Sequence, residues 1–289
     1  MFFHGSKHTP LIGILLLAVC SLTYADHHKK SEKKMTVSQK DQVIQLLKSI
    51  ETGDATSVGY INPNKYIQHN LMVKDGLAGF GEVLQQLPKD SAKVNTVRAL
   101  QDGNYVVTHT EYNFFGPKIG FDVFRFEGGK IVEHWDNLQV TPTSPNPSGH
   151  SMIDGTATLK DLDKTAANKK LVRSFVDDIL VHGKMDKLTS YFNGDNYLQH
   201  NPQIGDGLSG LGAALKALAE QGIVMKYDRI HKVLGEGNFV LVISEGSFGG
   251  KPTSFYDLFR VEAGKIAEHW DTMENIPPKA EWKNKNSKF

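Results

Sequence analysis

The sequence predicts an α+β protein with two tandem copies of one domain, each placing helices before an antiparallel sheet. Three observations support this: a long internal repeat, the same order of helical and strand patterns in both copies, and a composition suited to globular cores. The chain has 289 residues, of which 39% are apolar and 22% are charged. That length fits two domains better than one. The composition excludes disordered and collagen-like proteins.

Charge and cysteine content exclude further classes. Lysine and arginine number 33 against 32 aspartate and glutamate residues, which gives a formal charge of +1. Nucleic-acid-binding proteins usually present a clearly basic face, so we expect no nucleic-acid partner. The single cysteine, Cys20, rules out a disulfide scaffold.

Four sequence blocks of the first copy recur in the same order in the second. The first block reads Tyr-x-Gln-His-Asn in both copies, and the last reads Gly-Lys-Ile-x-Glu-His-Trp-Asp. The blocks begin at Tyr66, Asp75, Asp122 and Gly129 in the first copy and at Tyr197, Asp206, Asp257 and Gly264 in the second. Solenoid repeats run about 20 to 50 residues, so this longer period indicates two whole domains.

Helical patterns open each copy. Ser38 is the predicted N-cap of the first helix, whose apolar stripe comprises Val43, Leu46, Leu47 and Ile50. In the second copy the same spacing predicts a helix over 163–181, which Gly183 ends. A second helix is predicted over 77–87 and its counterpart over 208–220.

Strand patterns close each copy. Alternation predicts strands over 105–114, 120–127 and 130–138, and Glu127-Gly128-Gly129-Lys130 is a tight hairpin signal. Three or four strands are expected per copy. Helices followed by antiparallel strands are typical of an α+β domain with helices against one face of the sheet.

The N-terminal segment has the pattern of an export signal. An apolar run from Leu11 to Leu22 follows Lys7, and a small-residue cleavage site ends at Ala25. The run is about a dozen residues, short of the roughly 20 that a membrane span needs. We therefore expect a secreted or periplasmic protein with no membrane span after cleavage. An uncleaved anchor and lipidation of Cys20 are the alternatives.

Composition shifts divide the chain into six predicted segments. These are a signal peptide at 1–25, a polar spacer at 26–37, a first domain at 38–140, a linker at 141–157, a second domain at 158–276 and a basic tail at 277–289. The linker is rich in proline and serine. The lysines of the tail are interpreted as solubilising charges on a frayed segment.

The repeated blocks resemble the SnoaL-like polyketide cyclase branch of the NTF2-like superfamily. The resemblance rests on Tyr-x-Gln-His-Asn, the Asp-Gly that follows it, and Phe-Arg-x-Glu-x-Gly-Lys-Ile-x-Glu-His-Trp-Asp, and it covers about residues 38–139 and 163–275. It implies a cone in each copy, with a curved sheet wrapped round helices and one pocket open at the wide end. Such domains usually pair through their sheets. The tandem copies therefore imply an intrachain pseudo-dimer, which could also self-associate.

The resemblance also implies a pocket in which an acid/base side chain removes a proton next to a carbonyl. The candidates are Asp122 and Asp257, which strand alternation places on one face with Phe124 and Phe259. That face is either a pocket wall or a solvent or domain interface. Further predicted pocket residues are Tyr66, Trp135, Tyr197 and Trp270.

Histidines are the other candidate catalytic groups. They are His69, His109 and His134 in the first copy and His200 and His269 in the second. A near-neutral pKa suits proton transfer, although such histidines are more often structural. If the first pocket is active, the second is expected to bind weakly or only to support the pair. The histidines lack the close helical pair of a typical metal site, so neither a metal nor another cofactor is expected.

The leading hypothesis is an exported protein that binds a small apolar carbonyl compound and isomerises, cyclises or hydrates it by acid/base catalysis. Such an activity would be of the cofactor-independent lyase or isomerase type. A noncatalytic carrier or sensor is the main alternative, and a structural pair with vestigial cavities is another. Convergent ionisable groups in the pocket would favour catalysis, whereas a purely apolar lining would favour carriage.

Overall fold

The structure, a computed structural model, describes residues 37–87 and 91–289. The predicted signal peptide and nearly all of the predicted spacer lie outside these residues. No helix in the described part of the chain has the length and apolar character needed to cross a membrane.

The first copy contains three helices and five strands. They are α1 (Gln39–Thr52), α2 (Ala55–Val58), β1 (Ile67–Gln68), α3 (Gly76–Gln86), β2 (Lys93–Asp102), β3 (Tyr105–Asn113), β4 (Pro117–Glu127) and β5 (Lys130–Val140). Ser38 accepts a hydrogen bond from the Asp41 amide, which confirms the predicted N-cap. Gly128 and Gly129 both have positive φ, which confirms the predicted tight hairpin.

The second copy repeats this order. A 3₁₀ turn (Leu162–Lys164) leads into α4 (Thr165–Phe175), which continues as a π-helix (Val176–Val181) and is followed by a second 3₁₀ segment (Met185–Tyr191). Then come β6 (Leu198–Gln199), α5 (Gly207–Glu220), β7 (Met225–Glu236), β8 (Phe239–Phe248), β9 (Lys251–Glu262) and β10 (Lys265–Asn275). Helix α5 begins and ends within one residue of its prediction.

Each copy builds a five-stranded sheet with the same topology. The strand orders are β1-β5-β4-β3-β2 and β6-β10-β9-β8-β7. The four long strands of each sheet pair antiparallel, while β1 and β6 pair parallel with β5 and β10. The fold is therefore mixed α+β with two equivalent sheets, as the sequence predicts.

The two sheets pack against each other through one face each. An apolar cluster drawn from both copies fills the space between them, and its members include Phe121, Val123, Trp135, Leu241, Tyr256 and Trp270. At its edge, the Asn137 amide donates to the Thr272 carbonyl at 2.8 Å, and these two residues are counterparts in the repeat. The opposite face of each sheet, which carries the helices, is left to form an interior of its own.

The basic tail is not a frayed segment, so that interpretation is wrong. Asn284 and Lys288 are only 8% and 3% exposed. The Asn284 amide donates to the carbonyls of Asn70 and Val73 at 2.8 and 2.9 Å, and Lys288 forms a 2.9 Å ion pair with Glu274. The tail therefore crosses from the second copy onto the first.

The linker makes the reciprocal crossing. The Asn146 side-chain amide donates to the carbonyls of Gln199 and Ile204. Ile204 is the counterpart of Val73 in the second copy. We call residues 146–156 and 282–289 the crossing segments. Each one covers the Tyr-x-Gln-His-Asn region of the other copy.

Candidate functional site

The repeated Asp-Gly pair anchors the Tyr-x-Gln-His-Asn block to the following helix. In the second copy, an Asp206 side-chain oxygen accepts a hydrogen bond from the backbone N–H of Gln199 at 2.9 Å. In the first copy, Asp75 accepts from the backbone N–H of Gln68 at 2.8 Å. The next residue, Gly207, has φ of 79°, a left-handed conformation that favours glycine. This turn fixes the position of the Gln199 side chain.

A cavity of about 300 Å³ lies in the second copy, between α5 and the helix-facing side of the sheet. Its wall is largely apolar, with Phe175, Leu180, Ile204, Leu211, Leu218, Met225, Phe248, Phe259 and Met273 among its members. Several polar side chains converge on the same space, namely Tyr197, Gln199, Asn201, Tyr227, Asp257, His269 and Asp271. An apolar cavity with a few convergent polar groups is the usual form of a small-molecule site.

The central polar pair is Asp257 and His269. The ring Nε2 of His269 lies 3.1 Å from Asp257 Oδ1, and its Nδ1 lies 2.9 Å from Gln199 Oε1. That amide oxygen already accepts the backbone N–H groups of His200 and Asn201, so it is an acceptor and the ring Nδ1 must carry hydrogen. The contact between Nε2 and Asp257 therefore holds one proton shared by the two groups.

Two tyrosines complete the polar wall. The Tyr227 hydroxyl lies 3.2 Å from Asp257 Oδ1 and donates to that carboxylate. The Tyr197 hydroxyl accepts from the Gln199 amide at 3.3 Å, and within the described residues it donates to no acceptor. Burial and nearby carboxylates raise the pKa of both phenols, so both stay protonated. Tyr197 thus has a hydrogen available for a ligand oxygen.

Asp271 is the second carboxylate of the cavity. Its oxygens lie 3.0 and 2.8 Å from the Asn201 amide nitrogen. Burial raises its pKa to about 6, with the charge of Asp257 adding to the rise and that of His269 opposing it. A carboxylate with a pKa near neutrality can both accept and return a proton at physiological pH.

The first copy repeats the polar network. His134 Nε2 lies 3.1 Å from Asp122 Oδ1, His134 Nδ1 lies 3.0 Å from Gln68 Oε1, and Tyr112 donates to Asp122 at 2.6 Å. Asn70 donates to Asp136 at 2.6 Å, as Asn201 does to Asp271.

Two positions of the helix beside this network carry larger side chains in the first copy than in the second. Helix α3 has Phe80 and Val83 where α5 has Leu211 and Ala214, and Phe80 packs into the core of its copy. The cavity with the polar network thus lies in the second copy.

The sequence-predicted residues divide between the two faces of each sheet. Asp257, His269, Tyr197 and Phe259 line the cavity, and Phe259 stacks on His269 with ring centroids 4.7 Å apart. Their counterparts Asp122, His134, Tyr66 and Phe124 are buried together in the first copy, where Phe124 stacks on His134.

The other predicted residues lie away from the cavity. Trp135 and Trp270 belong to the cluster between the sheets, because each follows a cavity-facing histidine and alternation turns it to the opposite face. His109 lies on that same face, where it stacks on Phe121 at 4.2 Å. Burial and the charge of Arg98 lower the pKa of His109 well below its ordinary value.

His69 and His200 have structural contacts. Each stacks on the tryptophan of its copy at 4.6 Å, and each holds a glutamate of the last strand, Glu133 or Glu268. Their other ring nitrogen contacts a carbonyl of a crossing segment, Ser287 or Ser151. They fasten the crossing segments and do not reach the cavity.

Among the described residues, two groups of side chains have metal-ligand spacing, namely Asp122 with His134 and Asp136, and His150 with Asp154 and His200. In the first group both ring nitrogens of His134 already have hydrogen-bond partners. A metal there would have to displace one of them.

Sequence reasoning did not nominate Gln199, Asn201, Tyr227 or Asp271. The signal for three of them was present, because Gln199 and Asn201 alternate with His200, and Asp271 lies two residues after His269. Alternation places each on the cavity side. Tyr227 comes from β7, a strand whose individual pattern was not predicted.

Part of the second copy is similar to a known protein family. Residues 172–269 match the family model of the SnoaL-like domain. No curated protein matches the sequence.

Several solved structures are similar to part of the chain. An NTF2-like protein of unknown function from Cytophaga hutchinsonii is 14% identical over 37% of this chain and 94% of its own, with a TM-score of 0.32. IdmH of Streptomyces antibioticus, a candidate polyketide cyclase, is 17% identical over 35% and 93%, with a TM-score of 0.32. An epoxide hydrolase of M. tuberculosis is 21% identical over 38% and 85%, with a TM-score of 0.30. The family model thus matches the part of the chain that holds the cavity.

Proposed function

We propose that the second copy binds a small, largely apolar carbonyl compound and catalyses proton transfer at the carbon next to the carbonyl. The observation that carries this proposal is the convergence of Asp271, the Asp257–His269 pair and the free Tyr197 hydroxyl on one apolar cavity. A purely apolar lining would have favoured the carrier.

Each polar group has a role in the proposed step. Asp271 takes the proton, so that the C–H bond breaks, an O–H bond forms on the carboxylate, and the electron pair moves onto the carbonyl oxygen. Tyr197 donates a hydrogen bond to that oxygen as its negative charge develops. Asp257 and His269 share one proton, and this pair offsets the negative charge of the neighbouring enolate intermediate. Return of the proton to another carbon isomerises the compound, and attack of the enolate on a second carbonyl closes a ring.

The first copy is proposed to support the second. Its polar network matches, but its helix α3 carries the larger side chains Phe80 and Val83. We further propose that it is a second SnoaL-like domain and that the protein is exported. The repeated blocks support the first proposal, and the apolar run before Ala25 supports the second. If the protein is exported, mass spectrometry of the mature protein should find a chain that begins at Asp26.

Deuterium exchange tests the proposal without knowledge of the natural substrate. The wild-type protein in D₂O should accelerate exchange at the α-carbons of 2-heptanone, followed by NMR, with a rate that rises with pH through about 6 as Asp271 ionises. Asp271→Asn should reduce the rate by roughly 100-fold or more, because removing a general base typically costs 10²–10⁴.

The first copy supplies the matched control. Asp136→Asn changes the equivalent carboxylate and should leave the exchange rate within about twofold of wild type. Unchanged exchange in Asp271→Asn would remove Asp271 as the base. Binding of the ketone without any exchange would leave the carrier as the function.

A further inference from the structure

An exposed apolar groove lies beside the cavity. It has a volume of about 380 Å³, and its wall comprises Leu215, Leu218, Ala219, Gly222, Ile223, Val224 and Met225. Leu215, Leu218 and Met225 also line the cavity. The two spaces therefore share a wall and meet at the end of α5.

The groove is a fixed surface, because backbone hydrogen bonds hold the turn that forms it. The Ile223 amide donates to the Leu218 carbonyl at 2.9 Å, and the Gly249 amide donates to the Val224 carbonyl at 2.9 Å. Val224 is nevertheless 65% exposed and Leu215 is 36% exposed. An ordered turn that presents large apolar side chains to water is typical of a binding surface.

The groove carries no charged side chain, and the first copy has no equivalent sequence. After α5 the chain reads Gly-Ile-Val-Met from Gly222, whereas after α3 it reads Pro-Lys-Asp-Ser from Pro88. The apolar turn thus occurs in the copy that holds the cavity.

We propose that the ligand is an alkyl-chain ketone or a similar amphiphile. Its carbonyl group lies at Asp271 and Tyr197, and its hydrocarbon chain leaves the cavity along Leu215, Met225 and Val224. The inference rests on the proposed function, because it takes the position of the carbonyl group from that site. The residues shared by the cavity and the groove, Leu215, Leu218 and Met225, favour one elongated ligand over a separate partner protein.

A homologous series of 2-alkanones, from 2-pentanone to 2-undecanone, tests the groove by isothermal titration calorimetry on the whole protein. Each methylene that enters apolar surroundings should tighten binding by up to about fourfold. In the wild-type protein this gain should continue to the longest ketones. In Val224→Asp it should stop at the length where the chain leaves the cavity, while the short ketones bind as in wild type.

Val140→Asp is the matched control, since Val140 is 68% exposed and lies at the end of β5 in the first copy. It should follow the wild-type series. A wild-type affinity that stops rising at short chains, with short ketones still bound, overturns the groove but keeps the proposed function. Failure of every ketone to bind overturns both. A dimer that Val224→Asp dissociates, with an unchanged series, would assign the groove to a second copy of the chain.

Discussion

At the scale of single residues, one amide oxygen organises the site. Gln199 Oε1 accepts two backbone N–H groups and so fixes which nitrogen of His269 carries hydrogen. Alternation along the strands predicts that Asp257 and His269 share a face, and it also excludes His200 from that face. The sequence does not reveal pKa values, because the near-neutral pKa of Asp271 arises from burial by residues of distant elements.

The raised pKa of Asp271 predicts a pH-dependent stability. A carboxyl group whose pKa is about 6 when folded and near 3.8 when unfolded favours folding when protonated. Its contribution is therefore complete below about pH 4 and is lost as the pH rises through 6. Relative to Asp271→Asn, the wild-type free energy of unfolding should fall by about 2 kcal/mol between pH 4 and pH 7.

Urea denaturation of both proteins at the two pH values measures this difference. Asp186→Asn, a change at an exposed carboxylate, should run parallel to wild type. If Asp271→Asn also runs parallel, the carboxyl group titrates normally in the folded protein.

At the scale of elements, local patterns predicted the helices and hairpins well. The Ser38 cap and the apolar periodicity of α1, the bounds of α5 and the Gly128–Gly129 turn follow from patterns that act within a few residues. The crossing segments could not be predicted in this way. Lys288 is in a basic run, yet Glu274 and Asp136 raise its pKa despite the opposing effect of burial. That compensation depends on residues far away in sequence.

The crossing segments predict a matched pair of destabilising substitutions. Asn284→Ala and Asn146→Ala each remove two side-chain hydrogen bonds to carbonyl groups of the other copy. Each should lower the free energy of unfolding by about 1–3 kcal/mol. Thermal and urea denaturation measure the loss, and Lys285→Ala, at an exposed neighbour, should change it by less than about 0.5 kcal/mol. Equal stability of all three variants would mean that the tail does not hold the first copy.

At the scale of the whole molecule, the repeat predicts two equivalent sheets, but it does not predict which face of each sheet packs against the other copy. From the sequence, the side of β9 that carries Asp257 could have been a domain interface or a pocket. The structure assigns the interface to the tryptophan face, because Trp135, Trp270 and Tyr256 meet there. Side-chain volume at a few helix positions differs between the copies, and no single pattern predicts which copy holds the cavity with the polar network.

Separation of the copies should expose this interface. Residues 26–145 expressed alone would present Phe121, Val123 and Trp135 to water and would lose the segment that covers His69. We expect this fragment to be less soluble than the full chain or to self-associate, as measured by sedimentation velocity. A stable, soluble monomer would contradict the intrachain pseudo-dimer.

The reciprocal crossings also constrain how such a protein can change over generations. Each half is held by a stretch of chain that comes from the other half. Asn284 makes this contact in one direction and Asn146 in the opposite one. A recombinant protein that takes one half from a relative would therefore carry a crossing segment whose contacts fit a different partner half. The halves are thus expected to be inherited as a matched set.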